Sequence, residues 1–202
     1  MKTLSHILSA LFSPLLLPTY GMALCIWLTI MTILPPAMQW STLGTTFFIT
    51  AIIPMAVIFI LYKAGYVSDP GLNERTERGI PYAVAVVCYL VCAWLFFRAQ
   101  APLWVPLFLT GGAVAIVINV VVNRWWKISA HAAGMGGLVG LLFFLTVRHL
   151  AVFNSFWWFI GAILLSGMVM SARIYLGRHT LGQTLAGFAN GFLCVTLSTI
   201  FV

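Results

Sequence analysis

Two histidines and three arginines are the side chains in this sequence best suited to chemistry. Arg173 and His179 stand six residues apart at the end of an apolar stretch, His131 begins another, and Arg75 and Arg78 are three residues apart. An arginine fork binds phosphate oxygens bidentately and keeps its charge. A neutral imidazole can attack phosphorus, and a second imidazole can protonate the leaving oxygen. These residue types therefore predict phosphoryl transfer without a metal ion, because the arginines stabilise charge on the phosphoryl oxygens.

Acidic residues are too scarce for the main alternative chemistries. The 202 residues include three acids, Asp69, Glu74 and Glu77, all in one stretch. Aspartate-rich magnesium sites and paired-carboxylate glycosidases each need several carboxylates. The four cysteines lie inside apolar stretches, and we interpret them as small buried residues rather than metal ligands. The sequence therefore predicts neither a metal nor another cofactor.

The composition predicts an integral membrane protein. Hydrophobic residues make up 62% of the chain and charged residues 6%, against about 25% charged residues in a soluble domain. So few charges cannot cover a core with a water-compatible surface, which excludes a soluble enzyme, a disordered chain and a nucleic-acid-binding domain. The net charge of +7 is typical of loops near anionic headgroups or of a site for an anionic substrate. The expected partners are thus the membrane and a lipid phosphate, not nucleic acid.

The apolar stretches predict an all-α fold, a polytopic transmembrane helical bundle of six to seven spanning helices in one domain, residues 1–202. A helix needs about 20 apolar residues to cross the hydrocarbon core. The expected spans are residues 20–40, 45–63, 81–98, 103–123, 131–148, 155–175 and 181–202. Pro35 and Pro36 weaken the first span, and residues 4–17 are short enough to lie in the interface or to re-enter.

The polar segments between these spans fall on one side of the membrane. They are residues 64–80, 124–131 and 171–183. The candidate polar side chains therefore gather at helix ends on one face. Lysine and arginine are also concentrated there, which favours the cytoplasmic side, although residues that bind an anion are not topology signals. Two GxxxG pairs, Gly136/Gly140 and Gly187/Gly191, predict close packing of the helices that follow His131 and His179.

Three segments resemble motifs of the type 2 phosphatidic acid phosphatase superfamily. Ser129-Ala130-His131 resembles its P-S-G-H motif, residues 171–183 resemble S-R-x5-H-x3-D with the same arginine-to-histidine spacing, and residues 75–81 resemble a divergent K-x6-R-P. The three occur in the family's order and cover roughly residues 63–202. The resemblance implies a helical lipid phosphate phosphatase with its site on the outer face of a bacterial inner membrane.

The resemblance also implies a role for each matched residue. His179 would be the nucleophile, and His131 the acid that protonates the leaving group and then activates water. The phosphate-binding groups that it implies are the side chains of Arg78, Arg173 and Ser129 and the backbone N–H groups near Ala130, at a helix N-terminus.

The sequence departs from the family where an aspartate orients the nucleophile, because Gln183 stands there. Residues 179 and 183 share a helical face, so the glutamine carbonyl can accept the imidazole N–H and fix the tautomer. It does not stabilise imidazolium as a carboxylate does. Alternatively, Glu74 or Glu77 reaches the histidine.

The first motif lacks its lysine, because Gly71 stands seven residues before Arg78. Arg75 or Lys127 is expected to supply that charge. These departures leave open a weak enzyme, a distinct subfamily or a catalytically inactive lipid binder.

The leading hypothesis is a metal-independent hydrolase that removes the terminal phosphate of a lipid phosphate or pyrophosphate through a phospho-histidine. Candidate substrates are undecaprenyl pyrophosphate, phosphatidylglycerol phosphate, phosphatidic acid and a lipid A phosphate. The alternative is a non-catalytic lipid-phosphate binding or transport protein with the same cradle. The expected location is a bacterial inner membrane with the site on the periplasmic face, and the sequence predicts no oligomeric state.

Overall fold

The computed structural model describes residues 2–202 as a helical bundle. Met1, the first residue of the expected domain, lies outside the described residues. The helices are α1 (Lys2–Leu11), α2 (Leu17–Leu28), α3 (Pro36–Phe47), α4 (Ile53–Lys63), α5 (Gly79–Arg98), α6 (Trp104–Val122), α7 (Ala130–Val147), α8 (Phe156–Tyr175) and α9 (Leu181–Thr199). Residues 2–202 form no β-strand, so the all-α prediction is confirmed.

Most of the long helices are able to cross a membrane. Within the described part of the chain, five stretches are long and apolar enough: Pro36–Lys63, Arg75–Arg98, α6, α7 and α8. Helix α9 has 19 residues, which corresponds to about 28 Å at 1.5 Å per residue, but it carries more polar side chains. It is not among the five, so the described part of the chain has five helices long and apolar enough to span, against the six to seven expected.

The expected span over residues 20–40 is wrong, because the chain breaks there. Helix α2 ends at Leu28, a 3-10 turn covers Ile30–Ile33, and α3 begins at Pro36. A proline suits the first turn of a helix, where its missing N–H would have no partner. The proline pair therefore starts a new helix, which continues through a π-helical turn at Phe48–Ile52 into α4. The span expected over residues 45–63 thus begins earlier, at Pro36.

Helices α7 and α9 pack backbone against backbone through glycine. A Cβ at Gly140 would lie 2.8 Å from a main-chain oxygen of α9, and one at Gly191 would overlap a main-chain oxygen of α7. The interpretation of the GxxxG pairs as close packing is therefore confirmed. The starts of the two helices are also joined, because the Ser129 N–H donates to the Gln183 carbonyl at 3.3 Å. The segments that carry the two histidines are held side by side.

Helix α1 turns its apolar face outward and its serines inward. Leu4, Ile7 and Leu11 are exposed, whereas Ser5 and Ser9 are buried in a helix that packs on α8. An exposed apolar face is favourable against lipid rather than water. Residues 4–17 therefore form a short helix and a turn rather than a span.

Candidate active site

The three polar segments meet at one end of the bundle. They are residues 64–80, 124–131 and 171–183. Arg78 in the first segment donates through Nη1 to the Ile128 carbonyl in the second at 3.3 Å. His179 in the third lies with Nδ1 3.2 Å from the Lys127 carbonyl oxygen. Their alternation with the short loops therefore indicated the correct side of the bundle.

A cavity of about 680 Å³ opens where these segments meet. Arg78, His131, Arg173 and His179 all line it. The four side chains come from four separate parts of the chain, namely the turn before α5, the first turn of α7, the last turn of α8 and the loop before α9. The structure thus brings together the two imidazoles and the two guanidinium groups that the motifs single out.

The ring of His179 is held in one orientation by two carbonyl oxygens. Its Nδ1 lies 3.2 Å from Lys127 O and 3.2 Å from Gln183 Oε1. Carbonyl oxygens only accept hydrogen bonds, so Nδ1 carries the proton and Nε2 of the neutral ring keeps its lone pair. Burial, followed by the charges of Arg173 and Arg78, lowers the pKa of His179 to about 4. The imidazole is therefore neutral at pH 7 and has a free nucleophilic nitrogen.

Gln183 occupies the position of the aspartate in the motif that residues 171–183 resemble, and two hydrogen bonds fix its amide. Its Oε1 accepts from the Thr180 N–H at 3.2 Å, while Thr180 Oγ1 accepts from the Gln183 N–H at 3.4 Å. This reciprocal pair caps α9. Because the Thr180 N–H can only donate, the amide oxygen rather than the amide nitrogen faces His179.

Neither glutamate takes the place of the missing aspartate. Glu77 accepts hydrogen bonds from the N–H and the hydroxyl of Ser68, each at 3.1 Å. Among the described residues that line the cavity, there is neither Glu74 nor Glu77. The alternative in which a glutamate reaches His179 is therefore not realised in this structure.

His131 is held from the opposite side, by helix α1. Its Nε2 lies 3.0 Å from the Ser9 carbonyl oxygen. By the same reasoning Nε2 carries a proton, and Nδ1 is the nitrogen left for proton transfer. None of the three motifs contains Ser9, since its contribution comes from a main-chain carbonyl that no side-chain pattern reveals. The serine pair at positions 5 and 9 was the one available signal.

The two arginines of the cavity differ in how they are bound. Arg78 is 5% exposed and donates to the carbonyls of Leu72 and Ile128 and to the side chain of Asn123. Arg173 is 9% exposed, yet its guanidinium has no hydrogen-bond or ion-pair partner within residues 2–202. A buried guanidinium without an acceptor is costly. An anion bound in the cavity would remove that cost.

The remaining phosphate-binding candidates do not all reach the cavity. Ala130 lines it, in the first turn of α7, where backbone N–H groups lack helical partners. Ser129 is fully buried, and its hydroxyl accepts from the Ala132 N–H at 3.4 Å as the N-cap of α7. Lys127 is outside the described lining, and its carbonyl holds His179.

Arg75 is likewise not among the described residues that line the cavity. It is exposed and donates through Nη1 to the Arg124 carbonyl at 3.1 Å. It lines a neighbouring pocket of about 360 Å³ that shares Arg78 with the main cavity. Burial, followed by the charge of Arg78, lowers the pKa of Lys127.

Two further residues join the site. Arg178 is half-buried and lines the cavity. An arginine beside a membrane helix more often contacts lipid headgroups, so its place in the cavity is a finding of the structure. Asn123 ties the first segment to α6, since its Nδ2 donates to the Arg75 carbonyl at 2.7 Å. The position of Arg178 beside His179 in the third motif was a usable signal, and so was the polar side chain of Asn123 at the end of an apolar stretch.

Below the charged groups the cavity continues between apolar helix faces. Ala115, Gly112 and Phe108 of α6 and Val195 of α9 line this part. Along α6, the distance from Asn123, beside Arg78, to Phe108 is about 22 Å at 1.5 Å per residue. The cavity is thus charged at the end of the bundle and apolar within it, which suits a molecule with a phosphate at one end and a hydrocarbon chain at the other.

The C-terminal part of the chain is similar to known proteins. The model of the PAP2 superfamily matches residues 126–202. Two proteins of Helicobacter pylori named lipid A 1-phosphatase are similar over 67 residues, with 40% identity in strain J99 and 37% in strain 26695. The alignments cover 33% of this chain and 33% of each relative, so the chain matches about a third of the length of these curated relatives. No solved structure matches significantly.

The matched region contains His131, Arg173 and His179, whereas Arg78 precedes it. The resemblance carried by the second and third motifs is therefore confirmed. Residues 126–202 of this chain are thus similar to the PAP2 superfamily.

Proposed function

We propose that this protein removes a terminal phosphate from a membrane lipid phosphate or pyrophosphate, without a metal ion. One observation carries the proposal: Arg173 is buried and unpaired in the same cavity as an imidazole whose Nε2 lone pair is free. A bound anion would pair with the guanidinium of Arg173, and an electrophile would react with Nε2 of His179. A phosphate ester supplies both.

The proposed reaction has two displacement steps. Arg78 and Arg173 hold the phosphoryl oxygens while His179 Nε2 attacks phosphorus. The bond from phosphorus to the lipid oxygen breaks, and protonated His131 gives the proton on Nδ1 to that oxygen. Water then attacks the phosphorus of the phospho-histidine and gives its proton to His131 Nδ1. The P–N bond breaks, which releases inorganic phosphate and restores both rings.

Neutral acceptors at Nδ1 of His179 shape the rate of this reaction. Once phosphorus is bonded to Nε2, the ring carries positive charge and its Nδ1–H still faces the carbonyls of Lys127 and Gln183. These oxygens keep the ring in place, but they stabilise the charge less than a carboxylate does. The proposal therefore includes slow turnover compared with that of an aspartate-containing relative.

The apolar part of the cavity supports a lipid as the substrate. Phe108, Gly112 and Val195 line the apolar part of the cavity. This part suits the hydrocarbon chain of a lipid whose phosphate lies at the charged end. Both similar proteins are named lipid A 1-phosphatase, which supports including a phosphorylated glycolipid among the substrates tested. We also propose the periplasmic face of a bacterial inner membrane as the location.

Release of inorganic phosphate from purified protein in detergent tests the function. The substrates are phosphatidic acid, phosphatidylglycerol phosphate, undecaprenyl pyrophosphate and a lipid A 1-phosphate. His179→Ala is expected to abolish release. His149→Asn is the matched control, because His149 lies in the loop between α7 and α8, at the opposite end of α7 from His131, with φ of 52°, which asparagine tolerates.

Gln183 favours a second candidate, a non-catalytic protein that binds lipid phosphate. This candidate predicts that the intact chain binds the lipids and releases no phosphate from any of them. It also predicts that His179→Ala leaves binding unchanged, which alone does not separate the two functions. Release by the intact chain, lost in His179→Ala, rejects it.

The location is tested with a membrane-impermeant maleimide on intact cells. Thr76→Cys lies in the exposed part of the first polar segment, and Val152→Cys lies in the exposed loop between α7 and α8. A periplasmic site predicts labelling of the first variant and not of the second. The reverse pattern would assign the site to the cytoplasmic face.

A further inference from the structure

Helix α1 ends beside the site and offers it a free carbonyl. The last four carbonyl groups of a helix lack partners within the helix. At the end of α1, the Leu8 carbonyl accepts from the Phe12 N–H and the Ala10 carbonyl from the Ser13 N–H. The Ser9 carbonyl between them accepts from His131 Nε2 at 3.0 Å instead. A short helix at the other end of the sequence thus contacts the imidazole directly.

This contact selects which nitrogen of His131 takes part in proton transfer. A carbonyl oxygen accepts only, so Nε2 carries a proton in both the neutral and the protonated ring. The hydrogen bond therefore survives the gain and loss of a proton at Nδ1. A ring that stays in place while its other nitrogen changes protonation is what a general acid that later acts as a base requires.

The faces of α1 agree with a built contact rather than a chance one. The serines at positions 5 and 9 form its buried side, whereas its large apolar side chains Leu4, Ile7 and Leu11 are exposed. Small buried side chains let the helix backbone approach its neighbours closely. His6, Ser9 and Ala10 also line the cavity, so α1 forms part of its wall.

We propose that α1 belongs to the active site and that the Ser9 carbonyl is a positioning group for His131, which fixes Nδ1 as the nitrogen that exchanges protons with the substrate oxygen and with water. The role in catalysis rests on the proposed function, whereas the contact itself does not. Ser9 acts here through its main chain, since its hydroxyl is buried and has no hydrogen-bond partner in the described part of the chain.

Two substitutions on α1 test this contact. Ser5→Trp introduces a large side chain on the buried face and displaces the Ser9 carbonyl. Thr3→Trp, on the exposed face, is the matched control.

The first measurement is phosphate release with the most active lipid of the panel. For Ser5→Trp we expect kcat to fall on the order of 10²-fold, as for other misplacements of about 1 Å in an active site, with little change in KM. Thr3→Trp is expected to match wild type. Wild-type kcat in a Ser5→Trp protein whose α1 is displaced, or a loss in KM alone, would overturn the proposal.

The second measurement is the ¹⁵N spectrum of the histidine rings in the full chain, in which the His131 signal is assigned by its absence in His131→Asn. We expect the Nε2–H tautomer in wild type and a mixture of tautomers in Ser5→Trp. An Nδ1–H tautomer in wild type would overturn the proposal even if Ser5→Trp fails to fold. Because this spectrum needs no turnover, a chain that releases no phosphate contradicts the proposed function while leaving the contact to be judged by its own result.

Discussion

Replacing Gln183 by glutamate restores a carboxylate next to the nucleophilic histidine with almost no change in shape. The oxygen would lie about where Oε1 lies now, 3.2 Å from His179 Nδ1. At 4 Å, two unit charges attract by about 1 kcal/mol in water and about 4 kcal/mol at an effective dielectric constant of 20. His179 is 7% exposed, so the interaction falls between these limits. We expect kcat to rise about tenfold, which corresponds to roughly 1.4 kcal/mol of the barrier.

The same substitution moves the pH profile. In wild type, kcat/KM is expected to fall with decreasing pH as His179 gains a proton, with a midpoint near its pKa of about 4. An adjacent carboxylate favours the charged ring and raises a pKa by about 1 to 3 units, so the acidic limb of Gln183→Glu moves upward. Phosphate release between pH 3.5 and pH 8 measures both effects, and Gln183→Leu is the control that removes the acceptor. A folded Gln183→Glu protein with unchanged kcat and an unmoved acidic limb would refute this account of Gln183.

Three further substitutions test the cradle, the general acid and the apolar part of the cavity. Arg173→Lys keeps the charge but loses the bidentate guanidinium donor, so we expect kcat/KM to fall on the order of 10²-fold. Arg148→Lys, at the other end of the bundle, is the control and should match wild type in the same assay. His131→Gln removes the proton donor, so kcat for a lipid substrate should fall on the order of 10²-fold or more. The leaving oxygen of p-nitrophenyl phosphate needs no proton, so kcat for this substrate should fall much less. An equal fall for both substrates would argue against an acid role. Ala115→Leu fills the apolar part of the cavity and should raise KM for long-chain phosphatidic acid but not for a short-chain analogue. Val117→Leu, on the exposed face of α6, should change neither KM. Equal effects on both chain lengths would contradict a buried tail.

The meeting of the polar segments was predictable because it follows from counting spans. Helices of about 20 residues alternate between the two sides of a bilayer, so segments separated by two spans return to the same side. The error over residues 20–40 did not disturb this result, since all three segments lie after it. The glycine pairs then placed the starts of α7 and α9, which carry His131 and follow His179, side by side, because small residues let two backbones approach.

The contacts that main-chain carbonyls make with the two histidines could not be predicted from the sequence. The carbonyls of Ser9 and Lys127 hold the two rings, and any residue type supplies a carbonyl. Ser129 matches the motif, yet its hydroxyl caps α7. Serine is a preferred N-cap residue, so its presence in the motif did not distinguish a cap from a phosphate ligand. Arg75 and Arg78 lie in one 3-10 turn, yet Arg75 donates to the Arg124 carbonyl and Arg78 to the Ile128 carbonyl. The motif spacing did not distinguish the two arginines.

The covalent intermediate is the central claim, and a single-turnover experiment tests it most directly. Purified protein in detergent is mixed with ³²P-labelled lipid phosphate, quenched in alkali, in which phospho-histidine is stable, and digested for mass spectrometry. The mechanism predicts label on His179 that appears before inorganic phosphate and disappears as phosphate is released. Turnover without any label on His179, or label on another residue that forms and decays at the rate of turnover, would contradict it.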